Sequence, residues 1–293
     1  MLEWTYVDRR WHVPHIELAR ERLTRLVHEL SIPEKPTSLR ILQTIGIVED
    51  FRERAKRFGI ISRLPGNCDV LREPVVLNDF FPRDSSTLSE LPEPLLSERF
   101  RLALTIATAV HELHSSGWLH KEINSFNIAF LYSNDSPSIS IQEPYITGFG
   151  YARPDTEEVV SLVVSSGGKD IYKHPDLRGR EQDIEGQQVP QFKRKYDIYS
   201  LGLVLLEIGL WDSVSTFNTN LATPQAFTDR LVRVCKRDLG HRMGRTYRDV
   251  VIRCIEGTKT STTEPFDSND QRAEESMSFY WSVVRELAKC QCK

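Results

Sequence analysis

Apolar and polar residues alternate at the start of the chain, Leu2-Glu3-Trp4-Thr5-Tyr6-Val7, which predicts a half-buried strand. The period then changes. After Pro14, residues Ile16, Leu18, Leu23, Leu26, Val27 and Leu30 recur at helical spacing, and the stripe ends before Pro33. Residues 39–48 and 57–64 read as two more strands around a charged turn at Glu53, and Pro65-Gly66-Asn67 breaks the second as a hinge would. Beyond the hinge the pattern is helical. A short helix opens on Ser85-Ser86-Thr87. A longer one, with Ser97 as N-cap, carries Phe100, Ala103, Ile106, Val110 and Leu113 on one face and stops at Gly117.

Residues 128–132 and 139–146 read as short strands joined by the turn Ser133-Asn134-Asp135-Ser136-Pro137. A long polar segment follows Gly148. Asp197 then opens the most apolar helix, apolar almost all round and so expected at the centre of the second half. Helices are also expected at 223–236, 246–256 and 276–288, with a loose Ser/Thr/Asp-rich loop over 257–271. The order predicts an α+β chain: a small mixed unit over residues 1–64 and a helical one over 65–293.

Composition narrows this further. A net charge of −3 over 293 residues gives no reason to expect nucleic acid or an acidic membrane as partner. The run from Arg52 to Arg57 is mixed in sign and reads as a solvated turn. Five scattered cysteines (Cys68, Cys235, Cys254, Cys290, Cys292) suggest no disulfide framework, and Cys290 and Cys292 lack the second pair a zinc site needs. The N-terminus has no signal-peptide pattern, and the apolar run 198–211 is too short to span a bilayer, so a soluble cytoplasmic protein is expected.

Candidate chemistry concentrates between Gly117 and Phe130. His120, a carboxylate two residues on at Glu122, and Asn127 five further have the spacing of a catalytic loop, entered from a helix and left by an apolar strand.

Five motifs in order then carry a resemblance: Leu113-His114-Ser115-Ser116-Gly117, the loop from His120 to Asn127, Gly148-Phe149-Gly150, His174-Pro175-Asp176, and Asp197-Ile198-Tyr199-Ser200-Leu201-Gly202. The chain resembles a eukaryotic protein kinase domain over nearly its full length. More narrowly, Gly117-Trp118-Leu119-His120-Lys121 and Tyr172-Lys173-His174-Pro175-Asp176 resemble kinase-like domains of filamentous fungi, which can follow a HeLo-type prion-inhibition domain. The resemblance implies a two-lobed fold with a reduced first lobe.

A kinase positions nucleotide phosphates and neutralises their charge, and the resemblance assigns each part to a position here. The Gly-rich loop is missing, since the first fourteen residues hold no glycine. The third-strand Lys position falls near Thr5, with Arg9 or Arg10 as possible substitutes. Glu17, Glu21 and Glu29 are candidates for its helix partner, each better read as solvated. Gly148 replaces the metal-binding Asp, so Mg²⁺ loses its carboxylate oxygen. Asn127 remains. Glu122 stands at the base position with one methylene too many, and a misplacement of ~1 Å costs on the order of a hundredfold in rate. It is read as a structural or solvated carboxylate.

Asp197 is expected to bind the backbone around His120, and His120 to stack on Phe149. Asp176 is expected to find an Arg partner among Arg242, Arg245 and Arg248. Lys121 replaces the Arg that would read a phosphorylated segment, for which Ser161, Ser165 and Ser166 are the available hydroxyls. The function implied is a pseudokinase acting by interaction with a protein partner, with no metal and no required cofactor. The alternatives are an active Ser/Thr kinase with metal ligands rerouted to Asp155 or Glu143, or a switch binding ATP without Mg²⁺ at Arg63, Leu64 and Ala129.

Overall fold

The computed structural model describes residues 1–6, 13–32, 34–50, 57–82, 93–136, 138–155, 169–178, 191–218, 223–257 and 268–291. The alternating N-terminal stretch forms β1 (Leu2–Tyr6), and the helical stripe forms α1 (Val13–Leu30). Strands β2 (Gln43–Asp50) and β3 (Arg57–Arg63) complete an antiparallel sheet of order β1-β3-β2. The strand expected from Leu39 starts later. Thr37–Leu39 is a 3-10 turn, and Arg40 follows it in the left-handed region at φ 51°. Leu23 and Leu26 of α1 enter the same core as Phe58 and Ile60, and the Thr44 hydroxyl donates to the Val27 carbonyl at 3.0 Å.

The register of β1 decides which face of that strand is inside. Glu3 lies opposite Ile60 and Trp4 opposite Gly59. Directly opposed residues point the same way, so Glu3 shares the inner face with buried Ile60. Leu2 is 45% exposed, and the Arg57 guanidinium lies over the Trp4 ring at 3.8 Å. The acidic side chain is on the inside and the apolar ones are on the outside.

A second sheet of order β4-β6-β7 joins β4 (Val75–Val76), β6 (Ile128–Phe130) and β7 (Tyr145–Ile146), while β5 (Trp118–Leu119) pairs with β8 (Arg153–Pro154). β7 is far shorter than expected. Between the strands runs α2 (Leu96–Ser115), with Leu102, Ile106 and Val110 buried. Ser97 is not its N-cap: Leu95 takes that position, and the Glu98 carboxylate accepts the Leu95 N–H at 2.8 Å. Gly117, at φ 80°, ends the helix in a conformation that only glycine adopts readily.

Helix α3 (Arg194–Leu210) starts three residues before Asp197, because Arg194 is itself anchored, to Asp155 at 2.6 Å and to the His114 carbonyl at 3.0 Å. Leu201, Leu203, Val204, Leu205, Leu206 and Ile208 are wholly buried, and each such side chain contributes roughly 1.5–3 kcal/mol. Then come α4 (Pro224–Val234), α5 (Gly240–Glu256), which packs along α3, and α6 (Ser268–Phe279) and α7 (Arg285–Cys290), both against α2. The loop expected over 257–271 gives way to α6 at Ser268. The short helix expected at Ser85 lies outside the described residues, as do Arg9, Arg10, Ser161, Ser165 and Ser166. The chain is thus α+β. No helix of the described residues is long and apolar enough to cross a membrane.

Candidate functional site

The loop after β5 is built around one carboxylate. Asp197, fully buried near the start of α3, accepts the His120 N–H at 2.8 Å on Oδ2 and the Lys121 N–H at 2.9 Å on Oδ1. His114 Nε2 from α2 lies 3.1 Å from Oδ2. These bonds let Lys121 hold a positive φ of 72°, which would otherwise strain a non-glycine residue. Loop, α2 and α3 therefore meet at Asp197.

His120 is fully enclosed. Its Nδ1 accepts the Glu122 N–H at 3.2 Å, and Nε2 faces the Thr147 carbonyl at 3.0 Å, so the neutral Nε2–H tautomer satisfies both. Burial lowers its pKa to about 4, against partial opposition from Asp197. The ring meets Phe149 edge-on at 4.6 Å. His120 is a neutral packing element here, with both ring nitrogens engaged.

The next turn, Ser125–Asn127, is capped by Asn124, whose Oδ1 accepts the Phe126 N–H at 3.0 Å. Asn124 Nδ2 and Asn127 Nδ2 both donate to the Glu122 carbonyl, at 2.9 and 2.8 Å. Glu122 thus fixes the loop through its backbone, and its side chain is half-buried.

Gly148 sits against Asn127 at φ 85°, and a Cβ built on it would lie 2.4 Å from Asn127 Cγ and Nδ2. Neither the backbone angle nor the space admits a side chain. Its N–H is taken by Glu3, whose Oε2 lies 2.6 Å away. Glu3 on the inner face of β1 thus reaches across to the Gly148 turn. Its pKa is raised by burial, opposed by the backbone N–H groups of Gly148 and Phe149 and by the N-terminal amine. The sequence reading missed Glu3. The one available signal was a carboxylate inside an otherwise strand-like alternation, and that reads equally well as solvent-facing.

Other expected residues lie apart from this cluster. Arg63 ends β3 exposed, Leu64 is half-buried beyond it, and Ala129 is buried in β6 opposite Val76. The Asp176 carboxylate pairs with Lys195 at 3.0 Å on the exposed surface. The arginines expected for it are engaged elsewhere: Arg242 donates to the Leu210 carbonyl, and Arg245 and Arg248 lie on Asp249. Their helix-break geometry at Gly244 was not visible in the sequence. Of the candidate helix acids, Glu29 accepts the Trp118 indole N–H, while Glu17 and Glu21 are exposed. Asp155 is held by Arg194, and Glu143 is exposed. Among the described residues no three His, Cys, Asp or Glu side chains form a group able to hold a metal ion.

Lys121 is a cation under pressure. Burial pulls its pKa down to about 7, with Arg153 and Arg22 adding repulsion. A second buried network sits behind the loop. Glu207 Oε1 accepts the Tyr172 hydroxyl at 2.6 Å and the Val214 N–H at 3.0 Å, and Ser125 Oγ lies 2.7 Å from the same hydroxyl. Glu207 Oε2 has no partner among the described residues. Burial raises the Glu207 pKa from 4.5 to about 7. The native state therefore resists ionisation: the group's contribution is most favourable at and below pH ~4.5 and worsens as pH rises to about 7. Glu207→Gln is expected to flatten that slope and to raise stability by about 1–2 kcal/mol at a pH above 7, with little change below pH ~5. Urea denaturation at the two pH values reads this directly, and an identical effect at both contradicts it.

Comparison with known proteins places this geometry. The model of the family described as "Domain of unknown function (DUF7580)" matches residues 69–290. The chain belongs to that family. This member of it is similar to a probable serine/threonine-protein kinase of Dictyostelium discoideum, 24% identical over 188 residues, covering 63% of this chain and 27% of that protein. It is also similar to a serine/threonine-protein kinase-like protein of Arabidopsis thaliana, 30% identical over 159 residues, covering 51% of this chain and 41% of the relative. The chain thus spans less than half the length of either. The DUF7580 region is a protein kinase-like domain.

Proposed function

We propose that this is a two-lobed pseudokinase, divided at residues 64 and 65, that acts by protein interaction and lacks efficient phosphoryl transfer. The observation that carries the reading is the contact between Glu3 and Gly148. Where a kinase presents a carboxylate to Mg²⁺, this chain has a left-handed glycine packed on Asn127, with its N–H occupied by an acid from β1. A triphosphate entering there meets the Glu3 carboxyl group and lacks the metal that would neutralise it. The scaffold around it is retained: Asp197 on the loop backbone, and His120 on Phe149.

One observation favours the rival enzyme. Glu3 brings a carboxylate oxygen next to Asn127, so the metal ligand missing at Gly148 has a stand-in on β1. We weigh this below the first reading, because one acid and one amide are few ligands for Mg²⁺. Radiolabelled autophosphorylation and generic-substrate assays with Mg²⁺ or Mn²⁺ are expected to show no turnover. Thermal shift with ATP is expected to show no metal-dependent increase. Turnover abolished by Glu122→Ala, or a Mg²⁺-dependent shift abolished by Glu3→Gln, overturns the pseudokinase reading. A shift independent of metal points instead to a nucleotide-binding switch through Arg63, Leu64 and Ala129.

A further inference from the structure

Residues 229–249 hold seven Lys and Arg against three Asp, in a chain whose net charge is −3. Positive charge is therefore concentrated at the corner between α4 and α5, while the rest of the chain is acidic. The corner has a defined backbone. Cys235–Leu239 form a π turn, and helical geometry breaks again at Gly244. Such widened turns recur at functional sites. Here Cys235 and Leu239 are wholly buried and anchor the turn from inside, leaving Lys236 and Arg237 exposed. Arg233, His241, Arg242 and Arg245 are exposed with them.

Beside this rim lies a hollow of about 290 Å³, walled by Leu210 and Phe217 on the apolar side and by Arg237, His241 and Arg242 on the basic side. Asp212 and Asp238 also line it. Arg237 is forked onto Asp238 at 2.7 Å, and Arg245 and Arg248 lie on Asp249. Arg233, Lys236 and Arg242 form no ion pair with a carboxylate of the described residues; the Arg242 charge acts on Asp212 and Asp238, so Arg233 and Lys236 carry most of the surplus. Arg242 spends one guanidinium N–H on the Leu210 carbonyl at 2.7 Å, which fixes the charged head beside the hollow.

We propose that this corner docks an acidic segment of a partner protein, one apolar side chain seated on Leu210 and Phe217 and flanking carboxylates on Arg233, Lys236 and Arg242. The hollow is large enough to seat an apolar side chain, which suits a peptide. A continuous phosphate backbone or an anionic bilayer needs a uniformly basic face, and Asp212 and Asp238 interrupt this one. The proposal stands apart from the nucleotide cleft and holds whether or not that cleft binds ATP.

The test uses the whole chain and a short fluorescein-labelled peptide of Glu and Asp around a single Phe, read by anisotropy. Saturable binding is expected, weakening as salt rises and absent for the Gln/Asn version of the peptide. Arg237→Glu with Arg242→Glu is expected to weaken it by about tenfold or more. Because Arg242 also holds a backbone carbonyl, Arg233→Glu with Lys236→Glu, at exposed positions, is measured in parallel and should act in the same direction. The proposal is overturned by no binding, by equal binding of the amide peptide, or by affinity unchanged in both variants. Preferential binding to an RNA oligonucleotide or phosphatidylserine vesicles, lost in the same variants, also overturns it.

Discussion

Asp197→Ala is expected to destabilise the protein by about 3–5 kcal/mol, the range seen when one side of a buried charged network is deleted. The magnitude follows from what is left behind. The His120 and Lys121 N–H groups lose their acceptor inside the protein, and a buried unsatisfied donor costs about 1–3 kcal/mol. Lys121 loses the bond that holds its left-handed backbone, and His114 loses the oxygen 3.1 Å from its Nε2. Asp197→Asn keeps one oxygen and so one N–H acceptor, and it should fall between the parent and the alanine variant. Denaturant titration gives the three values. An alanine variant within about 1 kcal/mol of the parent would show that the loop does not depend on this carboxylate. Because the expected loss falls on folding, it is present without any nucleotide, which separates a structural Asp197 from a catalytic one.

The sequence carried the elements that depend on local period. The helical stripe from Ile16 to Leu30 and the all-round apolar helix after Asp197 form nearly where expected, since both bury several large side chains and little competes with them. Boundaries failed where tertiary bonds override propensity. Arg194 extends α3 backwards by binding Asp155, and Glu98 caps α2 at Leu95 where Ser97 seemed the natural cap. The motif positions His120, Phe149 and Asp197 come together in space. The Lys195 partner of Asp176 was not foreseen, because it comes from the first turn of α3 and the expected arginines of α5 are engaged elsewhere. Glu3 was invisible for a different reason. Period two says that one face of β1 is buried but not which, and hydrophobicity picks the face of Leu2 and Trp4. The register with β3 puts Glu3 inside, because Arg57 covers Trp4 and the Gly148 N–H awaits the carboxylate.

Gly148→Asp, which puts a carboxylate where the kinase resemblance expects a metal-binding acid, is expected to lower stability by about 3 kcal/mol or more and to confer no metal dependence. Three effects add in the same direction. A non-glycine residue at φ 85° costs on the order of 1 kcal/mol or more. Its Cβ would stand 2.4 Å from Asn127 Cγ, so Asn127 must move, at a typical overpacking penalty of about 1–3 kcal/mol. Asn127 cannot move and also keep its 2.8 Å bond to the Glu122 carbonyl, which secures the loop. The new carboxylate also enters beside Glu3, whose acid already resists ionisation there. Denaturation in water gives the stability change, and thermal shift with Mg²⁺ and ATP gives the metal response. A variant as stable as the parent that gains a Mg²⁺-dependent shift would mean that the glycine alone keeps metal out of the cleft. The opposite result would mean that β1, Asn127 and the Gly148 turn are packed around one another, so that an acid enters the turn only if Glu3 and Gly148 change together.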